Sequence, residues 1–270
     1  MTEQISAAVY RGNRQFEVTT LDLVPPAADE VAVRVAYCGI CGTDMHVFHG
    51  NMDARVGFER IIGHEMSGTV AAVGSAVSGF SPGDTVVVRP LAACGDCPAC
   101  EAGHNHMVAR EQGANVIVSE VNPSRIEIAR SLGFDTVNPT ELDLQAEVNA
   151  RTGNKGADVV FEVSGSQPGV DAMTACAATR ARLVMVAIHA QKPEVDLFQF
   201  FWRELQLIGV RVYEPDDYAD AIRLLAGGKI DTGKMITDVQ PLSDIQAAFE
   251  SLDGNPTALK SLIQVAGDTQ

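Results

Sequence analysis

From about residue 107 the sequence alternates short apolar runs with helical segments, and this alternation constrains the fold more than any other feature. Val116 to Ser119, Val159 to Val163, Leu183 to Ile188 and Leu205 to Val212 read as buried strands, with Leu262 to Val265 a last short one. Pro123 to Leu132 reads as a helix: Asn122 can cap it, Pro123 suits its first position and Gly133 stops it. Glu141 to Arg151, Gly169 to Ala178 and Asp217 to Leu225 are further helices. Strands alternating with helices predict a parallel sheet covered on both faces.

The first hundred residues follow a different grammar. Val31, Val33 and Val35 alternate with Ala32, Arg34 and Ala36, the period of a half-buried strand. Gly68 to Val73 and Thr85 to Val88 continue it, with the turn Ser81-Pro82-Gly83-Asp84 between them. The expectation is an α/β chain with a β-rich N-terminal domain. A length of 270 residues, 46% of them hydrophobic, leaves room for two modest cores. The net charge of -15, with no basic cluster, argues against nucleic acid as a partner. The N-terminus shows no basic region followed by an apolar stretch, and no apolar run approaches the ~18 residues of a membrane span. A cytoplasmic location, away from the membrane, is the expectation.

Five of the six cysteines sit in C-x-x-C spacings. Cys94-Gly-Asp-Cys97-Pro-Ala-Cys100 can curl three thiolates around one tetrahedral ion, and zinc suits sulfur ligands. A fourth ligand would have to come from elsewhere, His104 and His106 being nearest. An iron–sulfur cluster or three reduced thiols are the alternatives. Cys38-Gly-Ile-Cys41-Gly-Thr-Asp-Met-His46 is a second constellation, and Gly63-His64-Glu65, within G-H-E-x-x-G-x-x-x-x-x-G-x-x-V, is a third. Taken singly, His64 reads as a satisfied polar residue and Cys38 as a small core residue. In this order, before a three-cysteine loop, they read as metal chemistry.

These motifs resemble the zinc-containing medium-chain dehydrogenase/reductase family, of the alcohol dehydrogenase type, in its butanediol, sorbitol and threonine dehydrogenase branch. The resemblance implies a GroES-like catalytic domain over 1–106, a Rossmann-type dinucleotide-binding domain over 107–240 and a C-terminal segment, 241–270, packing back on the first. It implies zinc-dependent, NAD-linked oxidation of a secondary alcohol, diol or polyol to a ketone, by a homodimer or homotetramer. By position, Cys41 and His64 resemble catalytic-zinc ligands, and Glu65 the neighbouring acid that can approach the metal. Thr43 resembles the hydroxyl that takes the substrate proton, and His46 the end of the relay that delivers it to solvent. Cys94, Cys97 and Cys100 resemble three of the four thiols of a structural zinc. Glu120, at a strand end, resembles the acid that accepts from the ribose 2′-OH. Arg125 reads as its neighbour or as a surface helix charge. Ser164 reads as a ligand-binding turn or a plain one, and Ile188 falls near the place of the nicotinamide.

Two departures qualify the resemblance. The fourth structural cysteine is expected eight residues after Cys100, where Val108 stands. Nothing between Gly103 and Asn115 supplies the first strand and the G-x-G-x-x-G loop that should bear the pyrophosphate. The family's third catalytic-zinc ligand also belongs there. The sequence therefore predicts a missing block at His106–Met107, a sheet without its first strand, and activity lost or severely reduced. A non-catalytic zinc-binding or scaffold protein derived from the family is the alternative.

Overall fold

The computed structural model describes residues 3–90, 113–189, 191–210, 215–255 and 257–266. The chain divides into two compact units, one of residues 1–102 with 225–270 and one of residues 103–224.

In the first unit, β1 (Gln4–Gly12) and β2 (Gln15–Asp22) form an antiparallel hairpin. Its turn residues Asn13 and Arg14 both hold positive φ, the twist that suits tight hairpins. β4 (Arg60–Ile61) pairs along β1. A second sheet centres on β3 (Val31–Ile40) and β5 (Glu65–Val73), with β6 (Thr85–Val87) outside β5. On its other side stand β13 (Lys260–Gln264), antiparallel to β3, and β12 (Ile236–Pro241), parallel to β13. Because β12 joins this sheet, the chain returns to the first unit ahead of the boundary at 240 read from the sequence. Gly68 of β5 allows the close approach to β3, since a Cβ there would sit 2.1 Å from the Arg34 carbonyl oxygen.

α1 (Gly42–Phe48) and α9 (Ile245–Leu252) pack their apolar faces together in this unit, which also holds the one-turn helices α2 (Asp53–Val56) and α8 (Thr232–Met235). Phe48 and Phe249 are buried with ring centroids 5.3 Å apart, and Phe16 of β2 lies 4.6 Å from Phe249. Each such ring removed from water stabilises the fold by about 1.5–3 kcal/mol. Ile40 and Ile263 extend this core beneath the end of β3, so the helix that follows β3 starts from a fixed point.

Among the described residues of the second unit every ladder is parallel. β7 (Ile117–Ser119) pairs with β8 (Asp135–Val137) through the crossover helix α3 (Pro123–Ser131). β9 (Ala157–Glu162), β10 (Ala177–Met185) and β11 (Gln206–Gly209) form a separate sheet in the order β11-β10-β9. α5 (Gln167–Ala175) links β9 to β10 and α6 (Leu197–Arg203) links β10 to β11. Val170, Met173 and Leu183 are almost wholly buried between helix and sheet.

The expected elements form, with shifted ends. Asn122 caps α3, accepting from the Ser124 and Arg125 amides. The helix expected from Glu141 is α4 (Leu144–Thr152): the Glu141 and Leu142 amides turn back to the Asn138 carbonyl, and Asp143 is the cap. α5 starts earlier than expected because Ser166 caps it, and it ends earlier because Ala177 opens β10. The strand expected to run to Ile188 stops at Met185, because the Val186 and Ala187 amides both donate to the Glu162 carbonyl. The helix expected from Asp217 is α7 (Pro215–Ala226).

Candidate metal centre

Cys41 is the N-cap of α1, in extended backbone conformation at the end of β3. Its Sγ accepts from the Thr43 amide at 3.2 Å, while the Asp44 carboxylate accepts from the Cys41 amide at 3.0 Å. This reciprocal capping fixes both side chains on one side of the helix start. His64 enters from the approach to β5, after Gly63 at a φ of +111°. A Cβ on Gly63 would lie 2.7 Å from Cys38 Sγ, so glycine is what lets the two segments meet.

The His64 ring stands between two partners. Nε2 lies 3.1 Å from Cys41 Sγ, and Nδ1 lies 3.4 Å from Asp44 Oδ1. Asp44 is 3% exposed, so its charge faces the imidazole through little water. A carboxylate on one ring nitrogen holds the proton there and leaves the other lone pair free for a metal. Cys41 Sγ, an Asp44 carboxylate oxygen and a His64 ring nitrogen all lie within 4.8 Å of one another. Zinc with ordinary sulfur and nitrogen bond lengths spans about 3.5 Å between two such donors, which a small side-chain rotation here supplies. One soft thiolate and one imidazole are the donors zinc prefers, so the residues fit that ion.

Burial raises the Cys41 thiol and the Asp44 carboxyl above their usual ranges, and it pushes the Cys38 thiol up to about 11. A bound cation would oppose this at Cys41 by favouring the thiolate. Cys38 stands three residues earlier, in β3, and its Sγ is directed to the Gly39 carbonyl.

Thr43 and His46 both lie on α1, three residues apart and hence on one face. Glu65 opens β5 opposite Gly39 of β3. Its carboxylate crosses Gly39, where a Cβ would lie 2.3 Å from Oε2, and accepts from Lys260 of β13 at 2.7 Å. Glu65, expected among the metal ligands, is thus bound to a lysine and stands outside the cluster of Cys41, Asp44 and His64. Asp44 was missed in the sequence. The signal was present as the third residue after Cys41, where a capping acid belongs. Cys94, Cys97 and Cys100 lie outside the described residues.

In the second unit Glu120, Ser164 and Ile188 follow the carboxyl ends of β7, β9 and β10, and Arg125 lies in the first turn of α3. Glu120 follows β7, and its Oε1 accepts from the Val121 and Asn122 amides at 2.8 and 2.9 Å. Arg125 lies 4.0 Å from its other oxygen. The Ser164 hydroxyl donates to Glu162 Oε1 at 2.5 Å. Glu162 is 3% exposed, accepts also from the Ser164 and Gly165 amides, and faces His189 Nε2 at 3.4 Å. It holds the two strand-end loops together, and the sequence did not single it out. Ile188 is 72% exposed on the second of those loops.

The chain matches two known families. Residues 27–123 match the alcohol dehydrogenase GroES-like domain, and residues 105–227 match the zinc-binding dehydrogenase family. It is 42% identical over 334 aligned positions to 2-dehydro-3-deoxy-L-galactonate 5-dehydrogenase of Pseudoalteromonas atlantica, covering 96% of this chain and 98% of that one. It is 25% identical to sorbitol dehydrogenase of Bacillus subtilis, covering 92% and 93%. In structure it resembles 2R,3R-butanediol dehydrogenase of Bacillus subtilis with a TM-score of 0.86, 21% identity and coverage of 97% and 99%. It also resembles a short chain alcohol dehydrogenase of Escherichia coli complexed with NADH, with a TM-score of 0.83, 20% identity and the same coverage. These two structures share its fold. With Cys41, Asp44 and His64 gathered in a β-rich unit and a parallel α/β unit beside it in sequence, the chain belongs to the zinc-type medium-chain alcohol dehydrogenase family of oxidoreductases.

Proposed function

We propose that the chain is built to oxidise a secondary alcohol of a polyol, diol or sugar acid to a ketone, at a zinc ion held by Cys41 and His64. The observation that carries this reading is the imidazole of His64 set between Cys41 Sγ and the buried Asp44 carboxylate. The sugar-acid class comes from the 42% identical relative, whose name specifies a galactonate derivative. When bound, zinc supplies Lewis acidity that favours the alkoxide of the substrate.

The chain's own residues do the rest. Asp44 keeps the proton on His64 Nδ1, so that Nε2 remains a ligand. The Thr43 hydroxyl accepts the alcohol proton and releases its own without carrying net charge. His46, three residues along the same helix face, is the group this reading assigns to hand the proton on to solvent. Lys260 keeps Glu65 turned aside. This reading assigns Cys94, Cys97 and Cys100, which lie outside the described residues, as three of the four ligands of a second, structural zinc. Nicotinamide dinucleotide is the hydride acceptor in the family; Glu120, Arg125, Ser164 and Ile188 stand at the positions that would contact it in a member that keeps the glycine turn.

Among the described residues no helix is long and apolar enough to cross a membrane, in keeping with a cytoplasmic location. Leu197, Phe198, Phe201 and Trp202 of α6 are each more than half exposed, in keeping with burial in a homodimer or homotetramer. The test is metal analysis of protein purified without chelator, alongside Cys41→Ser. Loss of about one zinc per chain in the variant supports the centre. Equal zinc in both would overturn it.

A further inference from the structure

The second unit does not fit a dinucleotide as well as the first fits zinc. Doubly wound dinucleotide sheets run in the order 3-2-1-4-5-6, with the first strand in the middle and the pyrophosphate at the glycine turn that follows it. Here β8 and β7 stand as strands 3 and 2, and β9, β10 and β11 as strands 4, 5 and 6. The crossover helices agree: α3 joins the first pair, and α5 and α6 join the others. Among the described residues no strand pairs with β7 or β9 on the sides where strand 1 would lie, and the two sheets share no ladder.

Three independent observations agree with this gap. First, the sequence from Gly103 to Asn115 contains no G-x-G-x-x-G, so it offers no run of amides at a helix start for a pyrophosphate. Second, the alignment with the 42% identical relative extends over 334 positions, more than the 270 residues that this chain possesses. Part of the relative therefore has no counterpart here. The two family matches also overlap over 105–123, where one domain should end before the other begins. Third, Phe161 of β9 is 49% exposed and Val163, just beyond it, 68% exposed. A strand in the middle of a sheet covered on both faces buries such residues. What remains of the nucleotide site is Glu120, whose Oε1 is already engaged by its own loop amides.

We infer that this chain is a metal-binding derivative that does not hold a dinucleotide. Its first unit loads zinc, and its second unit gains a nucleotide site only when a strand–glycine turn–helix segment is inserted between His106 and Met107. The inference rests on the family reading above for the identity of the missing segment. The same segment would carry the family's third catalytic-zinc ligand, but Cys41, His64 and Asp44 lie outside it, so zinc held by these three can be read apart from NADH binding.

The experiment compares the chain with a graft carrying, at His106–Met107, the residues of the Pseudoalteromonas atlantica relative that have no counterpart here. NADH fluorescence and zinc content are read on both. The expected result is NADH binding at least a hundredfold weaker in the unmodified chain than in the graft. A chain that binds NADH less than a hundredfold more weakly than the graft would overturn the inference. So would a folded graft that fails to gain binding. Hydrogen exchange on the unmodified chain does not depend on the graft folding. The Val118 and Val160 stretches should exchange as free strand edges, and protection equal to that of β10 would also overturn the inference. Loss of zinc with no change in these readouts would instead strike at the proposed metal centre.

Discussion

The Lys260 ammonium lies 2.7 Å from Glu65 Oε2, across the glycine that separates their strands. Glu65 is the first residue of β5, Gly39 faces it from β3, and Lys260 opens β13 on the far side of β3. Lys260 also donates to the Ile40 carbonyl at 3.3 Å, next to the metal-side cysteine. The acid adjacent to His64 is therefore held by a cation of the sheet.

Replacing Lys260 by Met should release Glu65 toward the metal. Zinc affinity should rise several-fold in Lys260→Met, and the rise should vanish in the double variant with Glu65→Gln. Chelator competition measures both. Folding stability should fall by no more than about 1 kcal/mol, because both partners are partly exposed.

Asp44→Asn keeps an oxygen that can accept from the Cys41 amide but removes the charge facing His64. Zinc affinity should drop by about 10–100-fold, the usual cost of losing the group that orients a metal-bound histidine. Helix stability should hardly change. Asp44→Ala loses the cap as well and should cost about 1 kcal/mol more. Competition titration and urea unfolding separate the two effects.

The two cysteines of Cys38-Gly-Ile-Cys41 should behave differently. Cys41→Ser should abolish zinc at the centre. Cys38→Ser should leave zinc content unchanged, because its thiol turns to Gly39 and stays neutral below a pKa of about 11. Zinc content per chain decides this.

Asp253 contributes stability that depends on acid pH. The hydrogen bond from Arg14, and then that from His49 at 2.9 Å, hold its carboxyl below the usual range. A depressed acid stabilises the folded state above its unfolded value, about 3.9, and that contribution is lost as pH falls through the lower folded value. Asp253→Asn should lower the urea midpoint at pH 6. The difference from the parent should shrink steadily below about pH 4. A constant offset down to pH 2 would refute this.

How much of this could be read in the sequence differs by residue. The soft donors Cys41 and His64 were legible because metal chemistry demands particular residue types, and their motifs are local. Asn122, Pro123 and Gly133 marked α3 for the same reason: capping acts within a turn. The end of β10 was not legible, because it is set by two amides that turn to Glu162 on a neighbouring strand. Glu65 comes to the metal through the family resemblance, which carries positions and not partners. Its partner lies 195 residues away, brought there by the register of three strands.

The sequence by itself determined which side chains could hold zinc, the alternation of strands and helices, and the lack of a glycine loop, since each depends on residue type and short spacing. The tertiary structure alone decided that Asp44 backs His64 and that Lys260 takes Glu65. Those outcomes depend on which distant backbones pair, and long-range pairing is fixed by the burial and hydrogen bonding of the whole chain.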